Sequence, residues 1–186
     1  MYSFPHLLQI CIILALYIKI SCSVCLFQGN KVNYHIINFL WKMGGYFPQQ
    51  CLRETTDFRF PVEITKVTQK NIIRIIYEFL QQIFQLFSKN LPVDVWNISK
   101  IENFQNGIHH QIEELETCLS EEQSKARNNF QTWILKTSIY SIKKYFQRIT
   151  NFLKDKQYSH CSWEAVQMEL RTCHIIFDSL LKKKTT

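Results

Sequence analysis

Four residues near the C-terminus carry side chains that bind metals or exchange electrons: His160, Cys161, Cys173 and His174. Their types suit zinc, which takes thiolate and imidazole ligands at about 2 Å. Their spacing does not. If the stretch is helical, the twelve residues from Cys161 to Cys173 rise about 18 Å, at about 1.5 Å each. One ion or one disulfide cannot join them. His109 and His110 fail for a related reason, since neighbours on a helix point about 100° apart; they read as polar surface. The adjacent acids Glu113-Glu114 and Glu121-Glu122 read as solvated. The chain has no glycine-rich phosphate loop, no G-x-S-x-G elbow and no H-E-x-x-H. We expect no enzyme, no cofactor and no metal.

The other cysteines depend on the compartment. Residues 1–23 resemble a secretory signal, with an apolar run at 7–20 and Ser21-Cys22-Ser23 at the cleavage position. The run is shorter than the roughly 20 apolar residues of a membrane span, so the mature chain is expected not to insert in a membrane. Cleavage after Ser23 leaves one domain, residues 24–186. Cys11 and Cys22 leave with the signal, while Cys25, Cys51, Cys118, Cys161 and Cys173 remain. In an oxidising compartment five cysteines suggest two disulfides and one leftover thiol. Their count does not fix the pairing. Asn97-Ile98-Ser99 is a glycosylation sequon and should lie on the surface.

The net charge of +7 comes from 22 basic and 15 acidic residues. The charges are spread along the chain, ending in Lys182-Lys183-Lys184. They read as a solvated surface. No basic-aromatic motif of a nucleic-acid module is present, so no nucleic-acid partner is expected. The competing reading is a cationic protein that binds sulfated glycans or nucleic acid.

Positioning these groups falls to helices. Only four Gly and four Pro are present among 186 residues, which disfavours turn-rich β architectures. Five segments have apolar residues at steps of three and four. The first covers residues 29–43 and stops at Gly44-Gly45. An irregular stretch follows at 46–65, and its apolar residues suggest that it packs down. The second, 66–88, carries Ile72, Ile76, Phe79, Ile83 and Leu86, broadened by Ile73, Leu80 and Phe87, so it should be deeply buried. The third ends near Leu119, has Asp94 as its expected N-cap and a stripe of Ile98, Ile101, Phe104, Ile108, Ile112, Leu115 and Leu119. A polar link at 120–129 precedes the fourth, 130–156, with Leu135, Ile139, Ile142, Phe146, Ile149 and Leu153. The fifth, 162–182, has Trp163, Val166, Leu170, Cys173, Phe177 and Leu180. Five such helices make an all-α, long-chain bundle with a long first loop. That loop can cross the bundle's length, and the short break at 157–160 fits an antiparallel turn. Cys173 shares the last stripe, so it reads as a small buried hydrophobe with a free thiol.

The segment around Cys161 also carries a resemblance. Tyr145-Phe146-Gln147-Arg148-Ile149, Leu153-Lys154, Lys156, Tyr158-Ser159, Cys161 and Trp163-Glu164 resemble the C-terminal signature of type I interferons. Gln81 to Ser88, Trp96, Phe104, Leu115-Glu116, Cys118 and the Cys51 to Pro61 stretch are similar to other parts of that family. The kappa and epsilon branches look most alike.

The resemblance implies a secreted antiviral cytokine with a five-helix, up-up-down-down fold, monomeric, acting through a heterodimeric type I interferon receptor and JAK-STAT signalling. Another helical cytokine is the nearer alternative. It implies disulfides Cys25–Cys118 and Cys51–Cys161. It implies a high-affinity receptor face of Leu52, Arg53, Thr55, Gln167, Met168, Arg171 and Thr172. A low-affinity face would comprise Phe84, Gln85, Lys100, Gln105, His109 and Lys143. Met168, Arg171 and Ile175 lie off the buried stripe and would share an open side, so Arg171→Ala should weaken binding without changing stability. Thr55, Thr172, Gln105 and His109 depart from residues common in the family, and Gly107 replaces a better helix former. These departures bear on affinity more than on the fold.

Overall fold

The computed structural model describes residues 40, 46–93, 96–122 and 129–182. Among them are four α-helices, two 3₁₀ turns and no strand. Helix α1 spans Gln69–Leu86, α2 Ile98–Glu122, α3 Asn129–Asp155 and α4 His160–Lys182. These are the second to fifth segments expected from the sequence. Of the first, only Leu40 lies among the described residues; it is helical and fully buried. The stretch expected to be irregular winds into 3₁₀ turns at Gln49–Glu54 and Val62–Lys66.

Helix α1 is the centre of the described structure. Ile72, Ile73, Ile75, Ile76, Phe79, Leu80, Ile83 and Leu86 are all buried, and α1 packs against α2, α3 and α4. An apolar arc that wide needs cover on several sides. The stripes of α2, α3 and α4 supply it, with Phe104, Leu115, Phe146, Ile149, Trp163 and Val166 each at most 3% exposed. At one end Phe87 meets Phe104 at 4.8 Å and Trp163 at 5.3 Å between ring centroids. Buried indole N–H groups need acceptors, and both have them. Trp163 donates to the Asn90 carbonyl and Trp96 to Glu164 Oε1, each at 3.0 Å.

The caps refine the sequence reading. Asn97 stands immediately before α2, and its side-chain oxygen accepts the Lys100 N–H at 3.3 Å. Asp94, the expected cap, lies outside the described residues. With the helix beginning at Ile98, that residue sits in a first turn beyond the core's edge and is 56% exposed; it is not part of the buried stripe. The α3–α4 reversal is closed by Tyr158 N–H to the Leu153 carbonyl at 2.7 Å and Gln157 N–H to the Lys154 carbonyl at 2.9 Å. That is the Schellman pattern, with Gln157 at φ 53° in the position glycine favours. Ser159 then caps α4, its hydroxyl accepting the Ser162 N–H at 3.3 Å.

Two residues expected on an open face are inside. Gln167 is 1% exposed and Arg171 6% exposed. Gln167 Nε2 donates to the Leu40 carbonyl at 2.7 Å and Arg171 Nη2 donates to the same oxygen at 2.9 Å. One turn apart, they form a ridge beside the Val166–Leu170 stripe, and the helical backbone at Leu40 lies over it. Burial holds the Arg171 guanidinium below its usual pKa, opposed by nearby Glu164. The expectation that Arg171→Ala leaves stability unchanged is therefore reversed. Arg171→Ala removes a charged donor from a buried carbonyl, and should cost about 2 kcal/mol. That corresponds to a melting temperature lower by roughly 4–8 °C. An unchanged thermal melt would contradict the assignment.

Candidate functional site

The first 3₁₀ turn packs on α4, and a disulfide joins Cys51 to Cys161 with Cα atoms 4.9 Å apart. Cys51 has no exposed surface, whereas its neighbour Leu52 is 60% exposed. Arg53 and Thr55 are exposed as well. The Thr55 hydroxyl donates to the Leu52 carbonyl at 2.8 Å and tightens the turn. On the helix, Met168 and Thr172 are exposed, with the Thr172 hydroxyl donating to the Met168 carbonyl at 3.2 Å. Leu52, Arg53, Thr55, Met168 and Thr172 thus lie on the outer side of two elements in contact. Gln167 and Arg171 lie beneath.

The loop after the turn is held by side chains to which sequence reasoning gave no such role. Arg148 of α3 donates through Nε to the Phe58 carbonyl at 2.9 Å and through Nη2 to the Arg59 carbonyl at 2.8 Å. Arg59 has φ 55°, a left-handed conformation that costs a non-glycine residue free energy. The Asp57 carboxylate accepts its N–H at 2.7 Å. Phe58 packs edge-on to Phe152 at 5.1 Å, and Lys156 pairs with Glu54 at 2.7 Å. The buried Phe58 between polar neighbours was the available signal for a packed loop; nothing local points to Arg148.

A second surface crosses α1, α2 and α3. Phe84 stacks on His109 with centroids 5.7 Å apart. Exposed His109 pairs with Glu113 at 3.4 Å, and exposed Lys143 with Glu78 at 3.6 Å. Gln85 and Lys100 are exposed. Gln105 is not an open contact group: half-buried, its amide donates to the Phe87 carbonyl just past the end of α1. His110 pairs with Glu114 at 3.3 Å and does not converge with His109.

Interior polar groups complete the picture. Cys173 is a buried free thiol, 3.1 Å from the Tyr145 hydroxyl, which donates to Glu169 Oε1 at 2.7 Å. Burial pushes the Cys173 thiol and the Tyr145 phenol far above their ordinary values. Burial also raises Glu169; the bond from Tyr145 opposes this, and the Asp57 charge adds to it. Cys118 is disulfide-bonded, and Cys25 lies outside the described residues. In the sequon, Asn97, Ile98 and Ser99 are all exposed. No described helix is long and apolar enough to cross a membrane.

Comparison with known proteins matches residues 25–184 to the interferon alpha/beta domain. The chain is 34% identical to interferon beta of Tachyglossus aculeatus aculeatus, over 84% of its own length and 82% of that protein's. It is 30% identical to human interferon kappa, over 93% of each. The relatives it resembles thus include the beta and kappa branches. Among solved structures, zebrafish interferon 2 superposes with a TM-score of 0.68 at 26% identity, covering 81% of this chain and 96% of that one.

The Glu169 shift has a definite sign. A carboxyl raised above its unfolded value stabilises the fold below that value, 4.5, and loses the contribution as pH rises through the folded pKa. At neutral pH the half-buried charge is a cost. Glu169→Gln, which keeps an acceptor for Tyr145, should melt at a higher temperature than the parent at pH 7. The gap should close as pH falls below the ordinary carboxyl value. A variant less stable at pH 7 would contradict this.

Proposed function

The chain belongs to the interferon alpha/beta family, and we propose that it is a secreted type I interferon that draws two receptor chains together. In this reading residues 1–23 are a signal removed on secretion, and Asn97 carries a glycan. Cys25 pairs with Cys118. The mature protein works as a monomer and signals through receptor-associated kinases to antiviral genes.

One observation carries the reading: the first turn and α4 are crosslinked and in contact, and each leaves part of this set exposed, Leu52, Arg53 and Thr55 on the turn and Met168 and Thr172 on the helix. Exposed Leu and Met beside an arginine, on a backbone tied down by a disulfide, have the make-up of an interface hot spot with little ordering cost. This is the high-affinity face. Gln167 and Arg171 support it from below and make no receptor contact. Phe84, Gln85, Lys100, His109 and Lys143 form the low-affinity face on the other helices, with Gln105 holding the end of α1 in place.

The test treats cells of the matched species with correctly oxidised protein and measures antiviral gene induction. Induction should occur and be blocked by an antibody against the receptor. Leu52→Ala and Met168→Ala should each fold normally and lose about tenfold or more in potency, about 1.4 kcal/mol of binding or more. Absence of induction, or induction indifferent to the antibody, would contradict the proposal.

A further inference from the structure

Beside the Cys51–Cys161 crosslink stands a histidine that neither proposed receptor face uses. The ligand atoms of Cys51, His160 and Cys161 all lie within 4.8 Å of one another. Cys51 is buried and the other two are half-buried. His160 and Cys161 are sequence neighbours, and Cys51 lies 110 residues from Cys161; only the fold assembles the three.

The histidine is already oriented. His160 Nε2 lies 3.2 Å from Glu164 Oε1. Glu164 is 4% exposed, and the Trp96 indole N–H fixes it by donating to the same oxygen at 3.0 Å. This places a carboxylate behind Nε2, the nitrogen that ligation through Nδ1 would leave free. A carboxylate behind a ligating histidine sets its tautomer and ring direction and raises its basicity, and it accompanies most histidine–zinc bonds.

The geometry points to a site for one zinc-class divalent cation in the dithiol form of this protein, held by Cys51 Sγ, Cys161 Sγ and His160 Nδ1, with Glu164 as the orienting carboxylate. Two thiolates and one imidazole suit zinc and leave a fourth position for water. Every chain is made with its cysteines as thiols, so this form precedes the crosslink. Binding displaces one proton from each thiol, leaving two thiolate ligands. An exchanging disulfide of the oxidising compartment takes two electrons from the same two sulfurs, is itself cleaved to two thiolates, and the new Cys51–Cys161 bond releases the ion. Metal and crosslink are therefore alternatives at one place, and either one pins the first 3₁₀ turn to α4. Cys173 takes no part, being buried against Tyr145.

The experiment uses the refolded full chain reduced by a water-soluble phosphine. The phosphine gives two electrons to each disulfide, becomes a phosphine oxide with oxygen from water, and leaves two thiols. The protein is then pulsed with iodoacetamide, with or without zinc sulfate, and alkylation at each cysteine is read by peptide mass spectrometry. Zinc should slow alkylation of Cys51 and Cys161 about tenfold or more and leave Cys118 unaffected. His160→Gln should abolish the protection, and Glu164→Gln should weaken zinc binding roughly 10–100-fold. Equal alkylation with and without zinc overturns the proposal, including where reduction has loosened the fold. Protection that survives His160→Gln also overturns it, because the ion would then be held by thiols alone.

Discussion

A single covalent bond, Cys51 to Cys161, fixes where the first long loop sits on the last helix. It closes a loop with a sequence separation of 110 residues. In the chain-entropy account a closure of that size stabilises the fold by roughly 4–5 kcal/mol. Its local consequence matters more for function. The 3₁₀ turn it holds has no side-chain hydrogen bond at its N-cap and would otherwise be a marginal element. With Cys51 buried, Gln49, Gln50, Leu52 and Arg53 are left exposed. The loop beyond it continues under restraint from Arg148, from Asp57 and from the Phe58–Phe152 contact. A surface built on irregular backbone thereby gains the rigidity of the bundle beneath it.

The bundle itself depends on polar stitches as well as apolar packing. Trp96 reaches Glu164 across 68 residues, and Trp163 reaches the Asn90 carbonyl across 73. Gln167 and Arg171 reach the Leu40 carbonyl across 127 and 131. Each joins separate elements of the chain. Buried donors and acceptors left without partners are costly, so such bonds specify one arrangement of the helices among several that would bury the same stripes. Glu164 and the Leu40 carbonyl each serve twice: Glu164 meets the Trp96 indole and the His160 ring, and the carbonyl accepts from Gln167 and Arg171.

Periodicity made the helices legible. The arc from Ile72 to Leu86 announced a central helix, and of the α3 and α4 stripes Leu135, Ile142, Phe146, Ile149, Leu153, Trp163, Val166, Leu170, Cys173 and Phe177 lie inside, with Ile139 half-buried. Spacing alone also excluded a shared site for Cys161 and Cys173; the first is crosslinked and the second is a buried thiol. What the pattern could not supply was the neighbour. Met168, Arg171 and Ile175 share a side of the helical wheel, yet Met168 is 41% and Ile175 65% exposed while Arg171 is 6% exposed. A wheel gives an angle and not a depth. Arg171 carries a long stem and can bend towards a carbonyl that only the tertiary structure puts in reach. Likewise His160 and Cys161 looked like half of an impossible site until the fold brought Cys51 beside them.

Hydrogen exchange on the Cys51→Ser, Cys161→Ser double variant, compared with the oxidised parent, tests most directly whether the crosslink holds the proposed receptor face. Amides of residues 49–60 should lose most of their protection and affinity for the high-affinity receptor chain should fall, while amides of α1 remain protected. Unchanged protection across 49–60, with affinity intact, would contradict the account.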